Sequence, residues 1–170
     1  MTDGNRKDIR FREEPRPADI DEVRTIVSST GFFSDDEIGV AAELVETRLR
    51  DGEASGYLFL FAEREGKVLG YGCYGEIPCT RGSWDLYWIA VREEARGLGL
   101  GTEILLRVEE IVRRAGGRHL YAETAGKERY ASTRAFYERR GYEAAAVLDD
   151  FYAPGDAKFL YRKILAPSSP

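Results

Sequence analysis

Histidine and methionine each occur once in the 170 residues, and cysteine twice. Two cysteines, Cys73 and Cys79, make neither a disulfide framework nor a zinc site, so a reducing, cytoplasmic setting is expected. Any Ser-His-Asp or Cys-His chemistry would have to run through His119, at the head of a strand-like run. No metal cofactor is expected from so thin a ligand set. A basic excess is also missing: 25 Lys and Arg stand against 30 Asp and Glu, a net charge of −5, which argues against a general nucleic-acid binder. Long apolar runs are absent. The best, "YLFLFA", is far too short to span a bilayer, and the charged N-terminus has no apolar core of a signal peptide. No membrane association is expected.

What is present describes a folded α/β domain. Hydrophobic residues make up 43% and charged residues 32%. Residues 1–166 are expected to form one domain, with 167–170 a flexible tail. Residues 8–11 read as a short strand. Asp19 and Glu22 have capping-box spacing ahead of Ile20, Val23, Ile26 and Val27 at helical intervals. Ser34 and Glu37 repeat the signal before Ile38, Ala42, Val45 and Leu49. "GYLFLFAE" and "KVLGYGCYGEI" predict a hairpin turning at Glu65 and Gly66, and "WDLYWIAV" a third strong strand. Ile104, Val108, Ile111, Val112 and Ala115 mark a helix from about Gly99, stopped by Gly116 and Gly117. "RHLYAET" is a strand, "STRAFYERR" a helix ended by Gly141, and "AAAVLD" and "KFLYRKI" are closing strands around a loop over residues 149–156. The order β-α-α-β-β-β-α-β-α-β-β predicts an α/β fold with a mixed sheet.

Three glycines, Gly97, Gly99 and Gly101, precede the long helix. A P-loop would need a following lysine, and none is there. A Rossmann fingerprint would need a third glycine where Thr102 stands. Strand, short loop, Arg-x-x-Gly-x-Gly and helix does fit, with Arg96, Gly99 and Gly101 in the defining positions. The first amides of a helix lack intrahelical partners, and the helix dipole is positive there, so a diphosphate can rest on the turn. Gly97, Leu98, Gly99, Leu100, Gly101 and Thr102 supply the amides, Arg96 adds charge and Thr102 a hydroxyl. The alternative is a tight strand-to-helix connection without a ligand.

This pattern resembles motif A of the GNAT superfamily of N-acetyltransferases. A second landmark, "STRAFYERRGY", resembles the family's Ala-x-x-Phe-Tyr-x-x-x-Gly-Phe helix through Ala135, Phe136, Tyr137, Gly141 and Tyr142. The resemblance implies a sheet whose fourth and fifth strands splay apart and admit acetyl-CoA as co-substrate. Its pantetheine arm would lie along the backbone of Ile89, Ala90 and Val91, with the Ile89 N–H as oxyanion donor. Many members carry an asparagine seven residues before the tyrosine. Here Tyr130 stands instead, so Ser132, Thr133 or Arg134 is expected to take over that coenzyme contact. Relatives of this kind are often dimers, so a homodimer is among the expected states.

The resemblance makes Tyr137 the candidate acid for the leaving thiolate. It makes Asp85 the candidate base, at a position where histone-acetylating members carry a glutamate acting through water. By strand alternation Asp85, Tyr87 and Ile89 share a face. Glu76 and Glu123 are candidates for the acceptor side, although such residues are often surface carboxylates. In the 149–156 loop, Phe151 and Tyr152 are candidate walls, and Asp149, Asp150 and Asp156 candidate partners for a cationic amine. The leading expectation is acetyl transfer from acetyl-CoA to a primary amine, by direct attack in a ternary complex. A non-catalytic CoA-thioester sensor and a nucleotide-binding protein are the alternatives.

Overall fold

The computed structural model describes residues 8–165. Its elements are β1 (Arg10–Arg12), α1 (Asp19–Ser29), α2 (Asp35–Asp51), β2 (Leu58–Arg64), β3 (Lys67–Glu76), β4 (Ser83–Val91), α3 (Leu100–Arg114), β5 (His119–Ala125), α4 (Ala131–Glu138), β6 (Glu143–Ala153) and β7 (Asp156–Ile164). The order is the expected one. The sheet is mixed and seven-stranded, running β1-β2-β3-β4-β5-β7-β6. The proposed tail, 167–170, lies outside the described residues.

The chain divides into two compact units, Met1–Gly75 with Trp88–Val108, and Glu76–Tyr87 with Glu109–Pro170. In the first, Val23, Ile26, Val27, Ala41 and Val45 of the first two helices meet Phe59, Phe61, Tyr71, Cys73 and Ala90 in a closed core. The β2–β3 hairpin turns at Glu65 and Gly66, both at positive φ (52° and 79°), as a two-residue turn requires. On β3, a Cβ at Gly70 would come within 3.0 Å of the Ala90 carbonyl and of Ile104 on α3, so glycine there admits the helix. Ser34 and Glu37 form a complete capping box at α2. Asp19 and Glu22 do not. The N-cap of α1 is Ala18, with no side-chain bond. Arg12 takes both Asp19 oxygens, at 2.8 and 2.9 Å, and Arg92 takes Glu22. Arginines outside the helix thus take the carboxylates that the local cap would have used.

In the second unit β4 pairs in parallel with β5, residues 83–86 against 119–122. Among the described residues this register goes no further, while β5 stays paired with β7 as far as Ala125. Alternation sends Trp84, Leu86, Leu120, Ala122 and Tyr161 inward and leaves Asp85, Tyr121 and Glu123 on the other face. The closing hairpin corrects one expectation. Residues 149–153 belong to β6, and only Pro154 and Gly155 turn. A register shift between Leu148 and Ala153, with Asp150 at φ 55°, takes up the irregular stretch.

Candidate active site

The first unit carries the glycine turn. After β4 the chain makes a single 3-10 turn (Glu93–Ala95), extends at Arg96 (φ −64°, ψ 153°) and reverses at Gly97 (φ 79°) and Gly99 (φ 71°). Buried Leu100 then anchors α3. A Cβ at Gly97 would meet nothing within 4 Å. Glycine is therefore needed there for its left-handed backbone, not for crowding by the protein, and the space before it is open. The Glu103 N–H bonds the Gly99 carbonyl at 3.1 Å, so the amides of Leu100 and Gly101 precede this rung of the helical ladder. Arg96 pairs with Glu93 at 2.9 Å and lies 5.6 Å from the Phe32 ring centroid. Both charged partners are largely exposed, so a phosphate can replace Glu93 at little cost. The donors, the open space and the cation fit a diphosphate. The strand leading in is fixed by Arg92, whose Nε donates to the Val68 carbonyl at 3.0 Å.

The second unit brings together Asp85, Glu123 and Phe151 around a residue the sequence reading overlooked, Lys158. Its Nζ lies 2.6 Å from Glu123 and 4.6 Å from the Phe151 ring centroid, and the side chain is only 16% exposed. Burial raises the Asp85 carboxyl above the usual carboxylate range; the negative Glu123 adds to this and Lys158 opposes it. Tyr87 and Tyr152 are exposed on β4 and β6, and Glu76 is exposed at the end of β3. Two of the acids of the last hairpin are engaged within the chain. Asp150 accepts from the Gly155 N–H, and Asp156 is buried against Lys127 at 3.2 Å. Asp156 is thus neutralised within the chain.

Tyr137 is 4% exposed on α4. Its ring stacks on Tyr161 at 5.7 Å and meets Phe136 and Tyr142 edge-on. Burial pushes its phenol well above the ordinary value, so the proton stays on oxygen. No side chain or backbone group among the described residues bonds this hydroxyl, yet it is not one of the sealed polar atoms. Arg134 donates to the Ala125 and Lys127 carbonyls at 2.8 and 3.1 Å, while Ser132 and Thr133 stand in the first turn of α4. Tyr130 is buried under Arg129. Glu109, 8% exposed, also escaped the sequence reading, because a glutamate between apolar helix positions carries no signal of its partners.

No cluster of three metal-ligating side chains occurs among the described residues, and no described helix is long and apolar enough to cross a membrane. A solved protein from Desulfovibrio desulfuricans, described as an acetyltransferase of the GNAT family, is 49% identical, covers 93% of this chain and 99% of its own, and superposes with a TM-score of 0.91. The 5-NmdU N-acetyltransferase of Pseudomonas phage PaMx11 is 36% identical over 84 residues, 49% of this chain; the match spans little more than half, 56%, of that protein. An aminoglycoside 6'-N-acetyltransferase solved with coenzyme A, 19% identical, shares the fold at a TM-score of 0.72 over 95% of this chain and 99% of its own. The model of the Acetyltransferase (GNAT) family matches residues 20–142, most of the sequence, and the chain belongs to that family.

Proposed function

We propose that the chain transfers an acetyl group from acetyl-CoA to a primary amine, on a small molecule, by direct attack in a ternary complex. The observation that carries this reading is the turn before α3. Two left-handed glycines turn the chain there, and the first, Gly97, leaves open space beside helix-initial amides, with Arg96 next to it. The diphosphate rests on the amides of residues 97–102. The pantetheine arm follows the backbone of Ile89, Ala90 and Val91, and the Ile89 N–H receives the carbonyl oxygen as it gains charge.

The amine must lose a proton before it can attack, since an alkyl ammonium with a pKa of about 10.4 is mostly charged at neutral pH. Asp85 takes that proton through water. It stands four positions before Ile89 on β4, about 13 Å along a strand, too far for direct transfer. The nitrogen then bonds to the acyl carbon, the carbon–sulfur bond breaks, and the second proton of the nitrogen passes to solvent to leave the neutral amide. Tyr137 hydrogen-bonds the departing sulfur and passes its proton as the thiolate forms, and solvent restores that proton. Tyr87, Tyr152 and Phe151 supply aromatic contacts to the acceptor, beside Asp85, Glu123 and Lys158.

The test is thiol release from acetyl-CoA across a panel of amines, with mass analysis of the products. Acetylated amine and free CoA in equal amounts are expected. CoA binding without release on any amine would make the protein a thioester-binding module instead. ATP binding as tightly as CoA would point to a nucleotide site.

A further inference from the structure

Tyr137 has an aiming problem. Its hydroxyl has no bonding partner in the described protein, and the ring torsion of a tyrosine is soft. The direction of that hydroxyl is therefore set by whatever holds the ring. Two other tyrosines do so, and each is itself fixed at its oxygen. Tyr161 stacks on Tyr137, its hydroxyl donating to Glu138 at 2.8 Å. Tyr142 meets Tyr137 edge-on, with centroids 5.3 Å apart, and its hydroxyl donates to Glu109 Oε1 at 3.0 Å inside the protein. Lys163 donates to the other Glu109 oxygen at 2.7 Å and lies 5.5 Å from the Tyr142 ring centroid.

This pair is a poor investment in stability. Glu109 and Lys163 side chains are 10% and 23% exposed, and desolvating two charges offsets most of their attraction. An apolar residue at position 109 would fill the helix face without that cost. What an apolar residue cannot do is tether a phenol at a defined angle. Burial and the adjoining carboxylate both raise the Tyr142 phenol, so it remains a donor to Glu109 at any working pH.

We infer that Glu109 is a positioning residue: held by Lys163, it tethers Tyr142, and Tyr142 with Tyr161 aims the untethered Tyr137 at the leaving sulfur. The inference rests on Tyr137 being the proton donor, and a double-mutant cycle separates the two ideas. Tyr137→Phe should lower kcat by about 10²-fold. Glu109→Leu should lower kcat by about tenfold, with KM for acetyl-CoA unchanged, as for a misaimed group. In the Tyr137→Phe background, Glu109→Leu should cost nothing more. Glu109→Gln still accepts from Tyr142 and should restore most of the rate. Should Glu109→Leu fail to fold, Tyr142→Phe removes only the tethering bond and is read in the same cycle. Equal losses in both backgrounds would overturn the positioning role. Full activity of Tyr137→Phe would instead remove the acid role on which it stands.

Discussion

A carboxylate that must stay basic near neutrality gains from a raised pKa, and at Asp85 the balance of neighbours is open to manipulation. Burial and Glu123 raise it, and Lys158 lowers it. With Asp85 as the proposed base, the active form is deprotonated, so rate should fall as pH drops through the Asp85 pKa. Glu123→Gln removes a raising charge and should move this acidic limb to lower pH; Lys158→Met removes a lowering charge and should move it to higher pH. Asp85→Asn should abolish the limb and reduce kcat/KM by about 10²- to 10⁴-fold. Opposite shifts in pH–rate profiles of the two single variants are the measurement, and coincident limbs would dismiss Asp85 as the base. Asp85 and Tyr137 stand out as candidates in the sequence because each resembles a family position at a fixed spacing from its neighbours. Lys158 does not, because its partners lie on another strand and across a hairpin: Glu123 on β5 and Phe151 on β6.

Among the elements, the start of α3 is the one to which the proposed function assigns the coenzyme's diphosphate. Gly97 has a left-handed φ and nothing near its missing Cβ. Gly97→Ala should therefore cost about 1–2 kcal/mol of backbone strain without a clash, and the added methyl would stand in the space assigned to the diphosphate. A rise in the dissociation constant for acetyl-CoA larger than the fall in Tm accounts for is the expected result, from calorimetry beside thermal melting. Local signals made such elements legible: the Ser34 cap, the Glu65–Gly66 turn and the glycines before α3 all act within a few residues. The signals failed where the deciding partner lay on another element. Asp19 looked like a cap but was claimed by Arg12 on β1. The polar, aromatic residues 149–153 looked like a loop but continue β6, an outer strand of the sheet, where they stay exposed.

At the scale of the whole molecule, the element order and the mixed sheet followed from periodicity and punctuation, and the family likeness supplied the splay of the fourth and fifth strands. The contact pattern that divides the chain into two compact units was not visible in the sequence, since each unit gathers segments that are separated along the chain. The scarcity of sulfur noted at the outset has a practical sequel. Cys73 is closed within the core, where burial drives its thiol well above the ordinary value, while Cys79 is exposed and free. A thiol-reactive dye used to follow CoA release should thus label one sulfur per native chain in a single early burst, and a second only after denaturation. That burst sets the blank of the colorimetric reading, and a Cys79→Ser protein should start from zero.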